Sequence, residues 1–424
     1  MTRTLLAGGV DASGDAVDVL VDDGGGGSVL AWGPPGPEGF GADARVDCRG
    51  SVVLPAPAEP HAHLDKALSG RAAPNPGGDL LGAVEAWGQY RATLTRDDLV
   101  SRATAALESL VACGATAIRT HVDVAPTGGL ASASALIEVR DEAHRRGVAH
   151  VELAALIRSP LAGDGDAARA HRQLLDQALD LGVDVVGGCP NLDPDPDHCS
   201  TVIVERAARR GLRADVHCDE TLNPEARQLA RLAALSEAYG IGGRVVASHC
   251  VSLGGQEPAE QQAVARAAAS AGVAVITLPQ TNLYLQARGV RTSSPRGLTA
   301  LAALLEEDVT VAAGGDNARD PFCAMGRLDP VETASLLVMA GHLSPEDAWI
   351  RCCGASRTIM GLPAPAGVTV AAGGPAELLV IAGRDLSDAM AAGSQQRTVI
   401  HRGRVVATTR VRRRLHDRAE ASAG

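Results

Sequence analysis

The feature that most constrains the fold is an alternation of short apolar runs and longer amphipathic stretches through the middle of the chain. Each apolar run has the length of a strand, and each stretch after it has the length and apolar spacing of a helix. The predicted strands are residues 52–57, 117–122, 150–156, 184–187, 213–217, 244–249, 273–278 and 309–313. Eight strand–helix repeats predict an α/β fold, a parallel (β/α)8 barrel of the TIM type.

Local signals predict where some of the helices begin and end. Asn223, Pro224 and Glu225 form a typical helix start, because Asn caps free N–H groups, Pro fits the first turn and an acid favours the positive end of the helix. Gly240 is placed to end that helix. The stretch 66–97 is too long for a plain strand–helix loop and carries Trp87 and Tyr90, so it is a candidate lid.

The two ends of the chain have a different character from the middle. They contain strand-like runs and glycine-rich turns without helical periodicity. The predicted strands there are residues 16–21, 28–32, 51–54, 377–381, 397–401 and 404–408. We therefore expect residues 1–54 and 362–424 to form one small β-sandwich, and residues 55–361 to form the catalytic barrel.

Composition excludes several classes of protein. The 424 residues carry a net charge of −11 and only 2% aromatic residues, which argues against a nucleic-acid binder. No run of 18 apolar residues is present, so no membrane span is expected. Nine cysteines without a CxxC pair indicate reduced thiols and a cytoplasmic protein. We expect a small-molecule substrate and a homo-oligomer.

Histidine and acidic side chains fall where the predicted strands end. In such barrels the carboxyl ends of the strands converge on the active site. His61 and His63 close the first strand, and their i, i+2 spacing places both imidazoles on one side. His217, His249 and Asp316 close three other strands. A lone HxH pair is more often a polar surface feature, but convergence of four strand ends favours a metal site.

Imidazole and carboxylate ligands of this kind suit Zn²⁺ or Fe²⁺ and leave a position for water. Such an ion lowers the pKa of water from about 15.7 to about 7, which gives hydroxide at neutral pH. Cys218 and Cys250 follow two of these histidines, but strand alternation points them away, so we expect them to pack rather than bind metal.

Several motifs carry a resemblance to a known family. They are PAEPHAHLDKAL at 57–68, IRTHVDV at 118–124, VHCDE at 216–220, ASH at 247–249, GDN at 315–317 and DPF at 320–322. Together they resemble the amidohydrolase superfamily, most closely its bacterial cytosine deaminase group, and also the hydrolases of N-substituted aminotriazines. The resemblance covers essentially the whole chain.

The resemblance implies a role for each matching residue. The implied ligands of one divalent ion, Zn²⁺ or Fe²⁺, are His61, His63, His217 and Asp316. Glu220 resembles the proton shuttle of the family, His249 the residue that orients the attacking water, and Asp316 also accepts a proton from that water. Binuclear members bridge two metals with a carboxylated lysine on strand 4, and the single lysine of this chain, Lys66, lies elsewhere. Lys66 either meets the substrate or pairs with Asp65.

This sequence also departs from cytosine deaminases at the predicted substrate pocket. Arg158 stands where that group has a glutamine, Asn317 replaces an acid, Phe322 replaces a stacking tryptophan and Gly315 replaces a histidine. Leu80 matches the lid leucine that covers the ring. An arginine donates hydrogen bonds and cannot accept one, so Arg158 favours an anionic or carbonyl group on the substrate.

The sequence therefore predicts a metal-dependent hydrolytic deaminase of a cytosine-like cyclic amidine or aminoazine, with an anionic or carbonyl group facing Arg158. Two alternatives remain open. One is a hydrolase of a cyclic amide or an N-substituted aminotriazine, which needs the same geometry and differs in the leaving group. The other is a catalytically inactive barrel that binds a metabolite.

Overall fold

A computed structural model describes residues 1–34 and 41–415 of the chain. Its strands are β1 (Arg3–Val10), β2 (Ala16–Asp22), β3 (Ser28–Gly33), β4 (Ala44–Asp47), β5 (Ser51–Pro55), β6 (Ala58–Ala62), β7 (Ala117–Val124), β8 (His150–Ile157), β9 (Val185–Gly188), β10 (Arg213–Cys218), β11 (Val245–His249), β12 (Val273–Thr277), β13 (Val311–Ala313), β14 (Leu378–Ala382), β15 (Arg397–His401) and β16 (Arg404–Thr409).

Helices lie between and after the strands. They are α1 (Leu80–Arg91), α2 (Arg96–Ala112), α3 (Ala131–Arg146), α4 (Asp166–Leu181), α5 (Pro196–Arg210), α6 (Gln228–Tyr239), α7 (Pro258–Ser270), α8 (Pro279–Leu285), α9 (Leu301–Glu306), α10 (Pro330–Met339), α11 (Pro345–Ile350), α12 (Ser356–Ile359) and α13 (Leu386–Ala392). None of the described helices is long and apolar enough to cross a membrane.

Strands β6 to β13 form a parallel sheet in which each strand pairs with the next one along the chain. The first and last strands meet through a parallel bridge between Ala62 and Asp316. Helices alternate with these strands and supply the crossovers that parallel neighbouring strands require. The predicted TIM-type barrel is therefore confirmed.

The chain ends form a second sheet in the order β16-β15-β14-β5-β1-β2-β3, with β4 also paired to β1. Because β1 pairs with three strands, this sheet branches and encloses a small apolar core of its own. The predicted end domain is present, although residues 35–40 and 416–424 lie outside the described part of the chain. The exact boundaries at 54/55 and 361/362 stay predictions.

The prediction of residues 52–57 as the first barrel strand is wrong. Residues Ser51–Pro55 pair antiparallel with β14 in the end sheet, and the barrel begins at β6 after Ala56 and Pro57. The apolar run at residues 52–57 thus lies mostly in a strand of the end sheet and leads into the first strand of the barrel. Pro57 has no N–H to continue the ladder, and its carbonyl accepts instead from the backbone of Thr116.

The predicted helix start at Asn223 is also wrong, since α6 begins at Gln228. Asn223 forms a local turn, in which its side chain accepts from the backbone N–H of Glu225 at 3.1 Å. The carboxylate of Asp219 accepts from the backbone N–H groups of Gln228 and Leu229 at 3.0 and 3.1 Å. The first backbone N–H groups of α6 are therefore capped by a residue nine positions earlier, and local sequence spacing does not predict such a cap.

Candidate active site

The predicted ligands lie together at the carboxyl ends of the barrel strands. His61 is in β6 and His63 follows it, while His217 is in β10 and Asp316 follows β13. His63 Nε2 is 3.2 Å from His217 Nε2 and 3.2 Å from Asp316 Oδ1. His61 Nε2 is 3.7 Å from Asp316 Oδ1. Four side chains from three strand ends thus direct N and O atoms at one point.

The chemistry of this cluster fits a divalent cation. His61 Nε2 and both carboxylate oxygens of Asp316 are buried without a hydrogen-bond partner among the described residues, which is costly unless an ion or water satisfies them. Burial lowers the pKa of His61, His63 and His217 well below 6.5, so their imidazoles are neutral and keep a free lone pair. Mixed N/O ligands of this kind suit zinc or iron.

The backbone is strained where two of the functional side chains attach. His249 and Asp316 have positive φ angles of 72° and 64°, which places both in the left-handed region. Such residues cost about 1–3 kcal/mol each and persist only where the surrounding structure holds them. At each of these strand ends the turn aims the side chain into the barrel mouth.

Glu220 lies beside the ligand cluster. Its carboxylate is 3.7 Å from His249 Nδ1, which also contacts Asn282 Oδ1 at 3.0 Å. Burial, with the nearby charge of Asp316, raises the pKa of Glu220 well above 4.5. A carboxyl group whose pKa is raised in this way is suited to both give and accept a proton during a reaction.

Lys66 is buried and ion-paired. Its Nζ lies 2.6 Å from Asp123 Oδ1, 3.6 Å from Asp65 Oδ1 and 3.2 Å from His63 Nδ1. Burial alone would raise the pKa of Asp123, but the charge of Lys66 lowers that pKa to about 2. Lys66 therefore pairs mainly with Asp123 on the next strand rather than with its neighbour Asp65.

Asp123 also holds the helix α1 in place. Its second oxygen accepts from Trp87 Nε1 at 2.7 Å and from the Arg91 guanidinium at 3.1 Å. The stretch predicted as a lid thus contains a helix that forms one wall of the cavity. Two hydrogen bonds from this wall thus end on one carboxylate oxygen of the barrel.

A cavity of about 310 Å³ opens above the ligand cluster. Its volume suits one small planar ring system rather than a polymer. Of the predicted catalytic, metal-binding and substrate-binding residues, His61 lies beneath the cavity surface and the following contribute to its walls: His63, Lys66, Leu80, Arg158, His217, Glu220, His249, Asp316, Asn317 and Phe322.

Arg158 stands at the rim of the cavity and is exposed to solvent. It also lines an outer groove of about 680 Å³ that shares Val84 and Arg91 with the cavity. Its guanidinium is therefore open to solvent rather than buried in the cavity. Any selectivity it provides must be smaller than that of a buried charge.

Sequence reasoning missed several residues that support the site. Asp215 and Ser248 lie in the barrel interior and contact His61 or its neighbours, and Asn282 contacts His249. Asp215 lies two residues before His217 and therefore on the same face of β10. A charged residue on the inward face of a buried strand was the available signal.

A family model described as "Amidohydrolase family" matches residues 93–407. The chain belongs to the amidohydrolase family. It is therefore a hydrolase that acts on C–N bonds other than peptide bonds, which confirms the enzyme class predicted from the motifs. The family is metal-dependent, in agreement with the convergent N/O atoms of the site.

Individual relatives are also similar. The pterin deaminase of Rhizobium rhizogenes strain K84 is 34% identical over 368 residues, which cover 86% of this chain and 82% of that protein. The 5-methylcytosine deaminase of Klebsiella pneumoniae, liganded with 5-fluorocytosine, has a TM-score of 0.85 at 26% identity, covering 97% of this chain and 99% of that one. The N-isopropylammelide isopropylaminohydrolase of Burkholderia multivorans has a TM-score of 0.78 at 26% identity, covering 96% and 99%.

Proposed function

We propose that this amidohydrolase is a metal-dependent deaminase that releases ammonia from a small aminated heterocycle. The observation that carries the proposal is the convergence of His61, His63, His217 and Asp316 beneath a cavity that also contains Glu220. Relatives that deaminate pterin and 5-methylcytosine support the substrate class. The complete set of reactive groups argues against an inactive barrel.

The four ligands would hold one divalent ion, zinc or iron. Such an ion supplies a water-derived nucleophile at neutral pH, because it lowers the pKa of water from about 15.7 to about 7. Asp316 has a second carboxylate oxygen that can accept a proton from the attacking water. The ring carbon that carries the amino group must therefore lie close to Asp316.

Glu220 moves protons in this reaction. A proton from the water passes through its carboxyl group to the ring nitrogen as the C–O bond forms. A second proton then reaches the amino group, the C–N bond breaks, and ammonia and a ring carbonyl result. His249 lies 3.7 Å from Glu220, and because its Nδ1 donates to Asn282 Oδ1, its Nε2 is left to accept from the attacking water and orient it.

The cavity walls select the ring. Leu80, Val84, Trp87 and Phe322 are apolar surfaces suited to a planar ring, and Asn317 offers an amide. The Asn317 Nδ2 group donates to Asp320 Oδ2 at 2.8 Å, which turns its carbonyl oxygen away from Asp320. An amide fixed in this way is suited to accept from a ring N–H or an amino group.

Arg158 favours a substrate with a carbonyl or acidic group near the rim. Its guanidinium has no carboxylate partner within 4.0 Å in the part of the chain that the structure describes. The adjoining outer groove has room for a ring substituent that extends out of the cavity beside Arg158. A pterin-like ring, with or without an acidic substituent, fits this arrangement better than plain cytosine.

An assay of ammonia release tests the proposal. The zinc-loaded enzyme is offered pterin, cytosine, 5-methylcytosine and N-isopropylammelide, with Glu220→Gln as the control. We expect ammonia from pterin or a pyrimidine in the wild type and a loss of at least about 10²-fold in the variant. Release of isopropylamine alone would instead support the aminotriazine alternative, which the relative from Burkholderia multivorans favours. Absence of any product would contradict the proposal.

A further inference from the structure

A row of charged and polar side chains crosses the barrel interior and ends on His61. The Arg119 guanidinium donates to Glu152 Oε1 at 2.6 Å and to Asp215 Oδ2 at 2.8 Å. The Ser248 hydroxyl donates to Asp215 Oδ1 at 2.7 Å and lies 3.0 Å from His61 Nδ1. Arg119, Asp215, Ser248 and His61 have no more than 1% exposed surface.

The number of hydrogens that each group carries determines which atom donates and which accepts along this row. The ion pair with Arg119 keeps Asp215 as a carboxylate, which can only accept. Ser248 has one hydroxyl hydrogen and gives it to Asp215, so its oxygen must accept at His61. His61 then carries its hydrogen on Nδ1, and Nε2 keeps a free lone pair. That atom is the one that faces Asp316 in the ligand cluster.

The same contacts disfavour Asp215 as a metal ligand. His61, His121 and Asp215 also lie close enough to form a second candidate cluster. Each oxygen of Asp215 already accepts a hydrogen bond, one from Arg119 and one from Ser248. A metal at that cluster would have to displace a buried ion pair, which is strongly unfavourable.

We infer that Arg119, Asp215 and Ser248 are positioning residues that fix the tautomer and orientation of His61 and so raise the affinity of the site for its metal. None of them touches the substrate or the ion. Partners of this kind hold a ligand ring in place and increase its basicity, and their loss typically weakens metal binding about 10–100-fold. The inference depends on the metal site of the proposed function and not on the identity of the ring.

Ser248 gives the cleanest test, because it carries no charge and a single hydrogen bond to the ligand. The variant Ser248→Ala removes the hydroxyl, and Ser248→Cys replaces it with a thiol, which forms weaker hydrogen bonds. Ser248→Thr retains the hydroxyl. Thr277→Val is the matched control, since Thr277 is a fully buried hydroxyl on the adjacent strand β12 without a hydrogen-bond partner among the described residues. Thermal melting checks that each variant folds.

The measurement is the apparent Kd for Zn²⁺, obtained by competition with a chromogenic chelator on the full chain. We expect Ser248→Ala to bind zinc about 10–100-fold more weakly, Ser248→Cys to lie between it and the wild type, and Ser248→Thr and Thr277→Val to bind within about threefold of the wild type. If Ser248→Ala is unfolded, Ser248→Cys decides the question. Wild-type zinc affinity in the folded Ala or Cys variant overturns the inference, whether or not the enzyme deaminates any ring.

Discussion

The carboxylate of Glu59 accepts a hydrogen bond from the backbone N–H of Gly315 at 2.9 Å, which joins the first and last strands of the barrel. Its other oxygen accepts from the backbone of His61 at 3.1 Å. A Cβ atom on Gly314 would lie 2.5 Å from that oxygen, so any larger residue there would displace the Glu59 carboxylate. Together with the backbone bond from Asp316 N–H to the carbonyl of His61 at 3.0 Å, this contact holds the strand ends that carry His61 and Asp316 side by side.

Replacing Glu220 tests the proton transfer. Glu220→Gln keeps the shape of the side chain and removes the group that titrates. We expect kcat to fall at least about 10²-fold with the metal still bound, because acid–base groups contribute about 10²–10⁴-fold. Steady-state assays together with metal analysis of the variant check this. Near-normal turnover in a metal-loaded variant would remove Glu220 from the mechanism.

Replacing Arg158 tests substrate selection. Arg158 is exposed, and exposed charge pairs contribute about 0.2–1 kcal/mol. We therefore expect Arg158→Gln to lower kcat/KM for a ring with an acidic substituent by up to about fivefold, at about 1.36 kcal/mol per decade. The same change should leave the neutral ring unaffected. An unchanged ratio between pterin-6-carboxylate and pterin would show that Arg158 does not meet the substrate.

Replacing Trp87 tests how the wall helix is held. Trp87→Phe fills most of the same space and removes the hydrogen bond to Asp123. The Asp123 oxygen keeps its bond from Arg91, but a lost hydrogen bond to a charged group costs about 1.5–3 kcal/mol, so we expect α1 to loosen and KM to rise at least about tenfold. Tyr90→Phe on the same helix is the control. Equal KM values for the two variants would mean that the Trp87 contact does not hold the wall.

Glu377 gives a prediction for stability against pH. Burial alone would raise the pKa of Glu377. The hydrogen bond with His401 at 2.9 Å and the charge of Arg357 instead lower that pKa below 4.5. A group whose pKa is lower in the folded state stabilises the fold at pH values above its unfolded-state pKa. That contribution is lost as the pH falls through the folded-state pKa. Glu377→Gln should therefore lower the free energy of unfolding by about 1–3 kcal/mol at pH 7 and by less below pH ~4.5.

Urea unfolding of wild type and variant from pH 7 to pH 3.5 measures this difference. Glu306→Gln is the control, since Glu306 is an exposed carboxylate. A difference between wild type and Glu377→Gln that stays constant with pH would show that the charge of Glu377 does not stabilise the contact between the end sheet and the barrel.

The sequence predicted the barrel and the residues at its mouth because strand ends carry a local pattern. His217, for example, closes a short apolar run and points inward by simple alternation. The exposure of Arg158 could not be predicted in this way. It depends on where α1 lies across the barrel, and sequence spacing does not specify that position.

The support of His61 depends on contacts between distant strands. Ser248 and Asp215 come from β11 and β10, and neither stands near His61 in the sequence. Hydrogen bonds across 187 and 33 residues decide which nitrogen of His61 is free. An inward charge at Asp215 was visible as an unusual residue in a buried strand, but its partner was not.

The most direct test of the account is the titration of metal-stripped enzyme with Zn²⁺ or Fe²⁺ while ammonia release from pterin is followed. We expect no release without metal, a linear rise and saturation at one equivalent per chain. The double variant His61→Ala/His63→Ala should bind no metal and release no ammonia at any metal concentration. Turnover by the metal-free enzyme, or saturation only at two equivalents, would contradict a site built from His61, His63, His217 and Asp316.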